Sequence, residues 1–109
     1  MFEIDNQHIL VTGGSSGFGR HFARLLTSNG AKVTLAARRA EALASAVAEI
    51  DVAGGKAQSV ILDVTSADSI DRAMEEAESR FGPIHAVVNN AGVTATKPAL
   101  DHDERAWIA

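Results

Sequence analysis

The apolar residues of this chain are concentrated in four short runs that do not alternate with polar residues. The runs are rich in β-branched and small apolar residues, as in "HILVT" and "KVTLAA". A run of this length and composition is typical of a β-strand that is buried on both faces. The pattern therefore predicts four buried strands, at residues 8–12, 32–37, 58–64 and 84–90.

The segments between these strands carry apolar residues three or four positions apart, the spacing that places side chains on one face of an α-helix. Each segment ends in a glycine-containing pair, at 29–30, 54–55 or 82–83, and glycine readily takes the left-handed conformation that ends helices. Thr65 and Asp68 have the spacing of a capping box at the start of the third helix. The apolar positions are Phe18, Phe22, Leu25 and Leu26 in the first helix, Leu43, Val47 and Ile50 in the second, and Ile70, Ala73, Met74, Ala77 and Phe81 in the third.

The predicted elements alternate strictly between strand and helix. The fourth strand is followed by a loop at 91–100, and "DHDERAWIA" at 101–109 predicts the opening of a further helix. Such alternation is typical of an α/β fold in which a parallel sheet carries helices on both faces. Residues 1–109 are therefore expected to form a single domain.

Composition and charge exclude several classes of partner. Hydrophobic residues make up 46% of the 109 positions, and no apolar run approaches the roughly 20 residues that cross a bilayer. The formal charge of −4 gives no electrostatic reason to expect a nucleic acid or an anionic membrane as a partner. The absence of cysteine excludes disulfides, and the N-terminus lacks a signal-peptide pattern, so a cytoplasmic location is expected. No metal site is predicted, because His8, His21, His85 and His102 lack metal-ligand spacing and are interpreted as surface or strand-end residues.

Four glycines within seven residues follow the first predicted strand, in "TGGSSGFG". A helix N-terminus presents unpaired N–H groups and a partial positive charge, which suit a phosphate when the backbone can come close to it. Gly13 allows a tight turn after the strand, and Gly17 and Gly19 remove Cβ atoms where phosphates would approach. Ser15 and Ser16 add hydroxyl donors. We interpret this glycine corner, residues 12–19, as a diphosphate site, with an ordinary glycine-rich turn as the alternative. An ATP-type P-loop is excluded because no Gly-Lys-Ser/Thr is present.

The spacing Thr12-Gly13-x-x-x-Gly17-x-Gly19 resembles the first motif of the short-chain dehydrogenase/reductase family, TGxxxGxG. Two further stretches resemble motifs of the same family, "LDVT" at 62–65 and "NNAG" at 89–92. Each of the three lies at the carboxyl end of a predicted strand. The resemblance covers the whole chain and implies a Rossmann-type doubly wound parallel sheet with strand order 3-2-1-4 and a nicotinamide dinucleotide as cofactor.

The resemblance also implies a set of cofactor contacts. Asp63 would accept a hydrogen bond from the adenine amino group, and the Val64 backbone would meet the adenine ring. Asn89 would tie the central strands together. The other expected contacts are Gly13, Ser15, Ser16, Gly17, Phe18 and Gly19 at the glycine corner, and Asn90, Ala91 and Gly92 beside the adenosine ribose.

Arg38 bears on the choice between NAD and NADP. Enzymes that prefer NAD place an Asp or Glu about 20 residues after the glycines, where it binds the ribose 2′-hydroxyl. Here Ala36 and Ala37 occupy that place, and Arg38 and Arg39 follow. An arginine can bind a 2′-phosphate through charge-assisted hydrogen bonds. NADP(H) is therefore the preferred cofactor and NAD the alternative, with Arg38 assigned to the phosphate and Arg39 to the solvated start of the second helix.

Catalytic residues of the family are missing from this sequence. The family transfers a hydride between nicotinamide and a carbonyl or alcohol carbon, and it uses a Tyr-x-x-x-Lys pair, a Ser and an Asn for the proton chemistry. The chain contains no tyrosine and ends at Ala109, before the position of that Asn, so no catalytic residue is assigned. The resemblance then implies the N-terminal, cofactor-binding portion of a longer oxidoreductase, which is expected to be a homo-oligomer.

This portion alone is expected to bind cofactor without turnover. Its fourth strand would form a sheet edge at Val87 and Val88, so the isolated chain is expected to be marginally stable or self-associating. Two other functions stay open: a non-catalytic dinucleotide-binding module or sensor, and another Rossmann-type enzyme such as a nucleotide-methyl-donor transferase. The substrate, a small carbonyl or alcohol compound in the leading interpretation, is not indicated further, because only the loop 93–100 would contribute to its pocket.

Overall fold

Strands and helices alternate along the chain as the hydrophobic pattern predicts. The computed structural model describes residues 4–13, 17–89 and 106–108. The four predicted strands and three predicted helices are confirmed within these ranges. The elements are β1 (His8–Thr12), α1 (Gly17–Ser28), β2 (Lys32–Ala37), α2 (Ala40–Val52), β3 (Lys56–Ile61), α3 (Ala67–Phe81), β4 (Ala86–Asn89) and β5 (Ala106–Ile108).

The strands form one parallel sheet in the order β3-β2-β1-β4-β5. The predicted order 3-2-1-4 is therefore confirmed. Strand β1 lies at the centre, and its register pairs Thr12 with Ala36 of β2 and with Asn89 of β4. The carboxyl ends of these strands consequently meet at one edge of the sheet.

Two expectations about the end of the chain are wrong. Residues 106–108 form strand β5 instead of part of a helix, and β4 is paired on both sides instead of forming an edge. In the register of β4 with β5, Val87 is paired with Trp107. The physical reason is that β4 offers a row of backbone donors and acceptors, and an aromatic and a β-branched residue in "AWI" suit a strand.

The core is divided into two layers by the sheet, because successive residues of β1 point to opposite faces. Ile9 and Val11 pack with buried residues of α1 and α2. Leu10 packs on the other face with the buried residues of α3. Helices thus cover both faces, as the strict alternation predicts.

The start of α3 differs in detail from the predicted capping box. Its N-cap is Ser66, whose Oγ accepts a hydrogen bond from the Ser69 backbone N–H at 3.2 Å. Thr65, the predicted cap, instead donates to Asp63. Strand β3 also ends at Ile61 and not at residue 64, so Asp63 lies in the connection between β3 and α3. Among the helices that the structure describes, none is long and apolar enough to cross a membrane.

Candidate functional site

Three of the predicted cofactor-binding residues follow neighbouring strands at the carboxyl edge of the sheet. Gly13 follows β1, and its N–H donates to the Ala36 carbonyl of β2 at 2.8 Å. Arg38 follows β2 directly, and Asp63 follows β3 after one intervening residue. In open α/β sheets this edge is where ligands bind.

The turn from β1 into α1 depends on glycine at Gly13. Its φ of 68° lies in the left-handed region, which glycine adopts without the steric cost that a Cβ would bring. The turn delivers the chain into α1 at Gly17, and no acidic side chain occupies the first turn of this helix. The positive end of the helix dipole therefore meets no carboxylate from the first turn of α1, residues 17–20.

Among the residues that the structure describes, none gives Gly17 a packing reason to be glycine. A Cβ built on Gly17 meets no described atom within 4 Å, whereas one built on Gly55 would lie 2.7 Å from a methyl carbon of Ile50. Gly17 is exposed, and Gly19 two residues later is buried. The bare backbone at Gly17 thus borders open space at the start of α1, as a site for a group outside the chain requires.

An exposed aromatic side chain lies beside this corner. Phe18 is 64% exposed although it belongs to the apolar stripe predicted for the first helix. Its ring stacks on Phe22 with a centroid distance of 6.0 Å and an interplanar angle of 6°. Packing against its own helix holds the Phe18 ring next to the glycines while leaving most of its surface available to another molecule.

Asp63 is fixed in place by its own turn. Its Oδ1 accepts hydrogen bonds from the Thr65 backbone N–H at 3.0 Å and the Thr65 hydroxyl at 2.6 Å, and its N–H donates to Ser69 Oγ at 2.9 Å. The Thr65 hydroxyl, then the Thr65 N–H, hold the pKa of Asp63 below its usual value, and the charge of Arg38 acts in the same direction. The result is an ionised, half-buried carboxylate that Thr65 orients, on a backbone that Ser69 holds.

Thr65 and Ser69 are parts of the site that the sequence interpretation did not assign. Asp side chains commonly accept a hydrogen bond from the backbone N–H two residues later and so form a turn. The spacing of Asp63 and Thr65 in "DVT" could therefore have predicted the contact with Thr65. Strands β2 and β3 are neighbours in the sheet, so Arg38 and Asp63 follow adjacent strand ends, and the charge of Arg38 contributes to the lowered pKa of Asp63.

Asn89 connects the two central strands. The Thr12 hydroxyl on β1 donates to Asn89 Oδ1 at 3.1 Å and to the Val88 carbonyl at 3.3 Å, both on β4. The expectation that Asn89 ties these strands together is therefore confirmed. Several predicted cofactor contacts, together with the loop 93–100, lie outside the described residues: Ser15, Ser16, Asn90, Ala91 and Gly92.

The fold is of the doubly wound α/β class, whose members bind nucleotides at the carboxyl ends of the strands. Its defining features here are the parallel sheet, the helices on both faces and the glycine corner after β1. The sequence profile of the short chain dehydrogenases matches residues 7–109, and the chain belongs to this family. Gluconate 5-dehydrogenase of Gluconobacter oxydans is 35% identical over 107 residues, which are 98% of this chain and 42% of that enzyme. The chain thus spans less than half of the length of this curated relative.

Solved structures of the same family superpose closely on this chain. A metagenomic short-chain oxidoreductase in complex with NADP has a TM-score of 0.77 at 39% identity, covering 84% of this chain and 42% of that one. A short-chain type dehydrogenase/reductase from Mycobacterium marinum has a TM-score of 0.79 at 33% identity, covering 85% of this chain and 38% of that one.

Proposed function

We propose that this chain is the cofactor-binding portion of a short-chain oxidoreductase that uses NADP(H) in preference to NAD(H). The observation that carries the proposal is the glycine corner, where packing within the described part of the chain does not explain why residue 17 is glycine. A diphosphate is the group that suits this corner, because it can be held by backbone amides at the positive end of α1.

The proposed binding residues divide by the part of the dinucleotide they would hold. The diphosphate would lie on Gly13, Gly17 and Gly19, and the hydroxyls of Ser15 and Ser16 would add donors. The exposed ring of Phe18 would lie against the cofactor beside the glycines. Adenosine would be held by the Asp63 carboxylate, the Val64 backbone, Asn90, Ala91 and Gly92.

The preference for NADP(H) is inferred from charge at the end of β2. The position of the NAD-type acid is taken by Ala36 and Ala37, so no carboxylate there would repel a 2′-phosphate. Arg38 is exposed at the end of β2, and its charge contributes to the lowered pKa of Asp63, which supports a role for Arg38 beside the proposed adenosine site. The metagenomic relative in complex with NADP is in line with this proposal.

For the whole protein we propose hydride transfer between nicotinamide and a carbonyl or alcohol carbon. The bound dinucleotide would supply the hydride or accept it. A reacting oxygen also needs a proton partner, and the tyrosine that the family uses for this is missing from the 109 residues. We therefore infer that this chain alone binds cofactor without turnover.

Calorimetric titration of the chain with NADPH, NADH and S-adenosylmethionine tests the proposal. We expect saturable binding of NADPH, about ten- to a hundredfold weaker binding of NADH, and no binding of S-adenosylmethionine, which lacks a diphosphate. Equal affinities for NADPH and NADH would contradict the proposed contact between Arg38 and the 2′-phosphate. Preferential binding of S-adenosylmethionine would contradict the oxidoreductase assignment and support a methyl-donor transferase.

A further inference from the structure

The connection from β3 to α3 is anchored to the first turn of that helix. The Asp63 carbonyl accepts a hydrogen bond from the Ser66 N–H at 3.0 Å, and the Asp63 N–H donates to Ser69 Oγ at 2.9 Å. Ser69 is itself tied to the helix start, because its N–H donates to Ser66 Oγ at 3.2 Å. Both backbone groups of Asp63 are therefore engaged, and α3 sets the position of this residue at the carboxyl edge of the sheet.

Thr65 engages one oxygen of the Asp63 carboxylate twice. Oδ1 accepts from the Thr65 hydroxyl at 2.6 Å and from the Thr65 N–H at 3.0 Å. The hydroxyl contact has the length of a charge-assisted hydrogen bond to a carboxylate. Rotation of the carboxylate would break both contacts, so Thr65 holds Oδ1 towards its own turn. Within the part of the chain that the structure describes, no hydrogen bond reaches Asp63 Oδ2.

A carboxylate with one oxygen occupied selects different ligands from one with both oxygens available. The Thr65 hydroxyl, then the Thr65 N–H, lower the pKa of Asp63, so the group is ionised at neutral pH and can only accept hydrogen bonds. Two available oxygens match two adjacent N–H donors, such as the N1–H and the N2 amino group of guanine. One available oxygen suits the single exocyclic amino group of adenine.

We propose that Thr65 is a positioning residue that sets the base selectivity of the dinucleotide site. By occupying Oδ1 of Asp63, it leaves Oδ2 as a single acceptor, which binds the amino group of adenine and discriminates against guanine. Thr65 acts through Asp63 and not through its own contact with the base. The inference rests on the proposed function, since it requires the base of the dinucleotide to lie against Asp63.

Thr65→Val tests this role with NAD and nicotinamide guanine dinucleotide, two probes that differ only in the base. Valine has nearly the shape of threonine without the hydroxyl, so the 2.6 Å contact is lost and Oδ1 can turn towards the base. In calorimetric titrations of the unsubstituted chain we expect NAD to bind at least about tenfold more tightly than the guanine dinucleotide. In Thr65→Val we expect this ratio to fall by about tenfold, the effect of one hydrogen bond.

Two further variants separate positioning from general support of the fold. Thr65→Ser keeps both the hydroxyl and the backbone N–H, so it should retain the ratio of the unsubstituted chain. Thr27→Val is the matched control, because it removes a hydroxyl that donates to the Ala23 carbonyl within α1, and it should leave both affinities unchanged. If Thr65→Val weakens both dinucleotides equally, Thr65 supports the structure only, and the proposal is overturned.

The outcomes distinguish this inference from the proposed function. Failure of NADPH, NAD and the guanine dinucleotide to bind the unsubstituted chain would overturn both. Binding of NADPH together with equal affinities for NAD and the guanine dinucleotide would overturn the role of Thr65 alone.

Carbon NMR of the Asp63 carboxyl group tests the contact without any nucleotide. We expect a higher pKa of Asp63 in Thr65→Val than in the unsubstituted chain, because the hydroxyl that stabilises the ionised form is gone, and no such rise in Thr65→Ser. An unchanged pKa of Asp63 in Thr65→Val would contradict the contact and the proposal built on it.

Discussion

Gly17→Ala should lower the affinity for NADPH by at least about tenfold while leaving the chain as stable as before or slightly more stable. The added methyl group meets no atom of residues 4–13, 17–89 or 106–108 within 4 Å, and alanine is up to about 1 kcal/mol better than glycine in a helix. The same methyl group would occupy the space proposed for the diphosphate. Calorimetric titration and denaturant unfolding of the same sample measure the two effects separately.

Gly55→Ala is the matched control, because it should show the opposite pair of effects. Its Cβ would lie 2.7 Å from an Ile50 methyl carbon and 2.9 Å from Thr27 Cβ, between the packed ends of α1 and α2. We expect a loss of about 1–3 kcal/mol in the free energy of unfolding, as for an overpacked core, and unchanged NADPH affinity of the folded molecules. If Gly17→Ala binds NADPH as tightly as the unsubstituted chain, the open space at Gly17 is not a phosphate site.

Arg38→Ser should weaken NADPH binding by about ten- to a hundredfold, the equivalent of losing one or two charge-assisted hydrogen bonds. NADH affinity should change little, because NADH lacks the 2′-phosphate. Arg39→Ser is the control: Arg39 is also exposed, but it is the N-cap residue of α2 and forms no side-chain cap hydrogen bond. Its affinity for both nucleotides should be unchanged.

The binding of NADPH by Arg38→Ser should also lose part of its dependence on ionic strength, since one fewer charged contact is screened by salt. Equal losses for NADPH and NADH would mean that Arg38 supports the shape of the site and does not recognise the phosphate. A larger loss of NADPH affinity in Arg39→Ser than in Arg38→Ser would indicate that the 2′-phosphate contacts Arg39, at the start of α2.

The sheet was predictable because its signals are local. Strands buried on both faces appear as continuous apolar runs, and helices that cover them appear as apolar residues three or four positions apart. The side chains at the strand ends were predictable for the same reason: parallel strands bring Gly13, Arg38 and Asp63 to one edge once the strand order is known.

Features that depend on distant partners were not predictable. Residues 106–108 become β5 because they pair with β4, which no local pattern in "ERAWIA" reveals. Thr65 and Ser66 both have hydroxyl groups suited to an N-cap, and the choice of Ser66 follows from the engagement of Thr65 with Asp63. His8 is fully buried at the start of β1, and its Nδ1 lies 2.8 Å from the carbonyl oxygen of Gly82, 74 residues away in sequence.

A crystal structure of this chain with NADPH tests the central claim most directly. The account predicts that the diphosphate oxygens lie about 3 Å from backbone nitrogens in the first turn of α1, with the 2′-phosphate at the Arg38 guanidinium. A complex in which NADPH binds elsewhere, with the space at Gly17 filled by side chains of the chain itself, would contradict it.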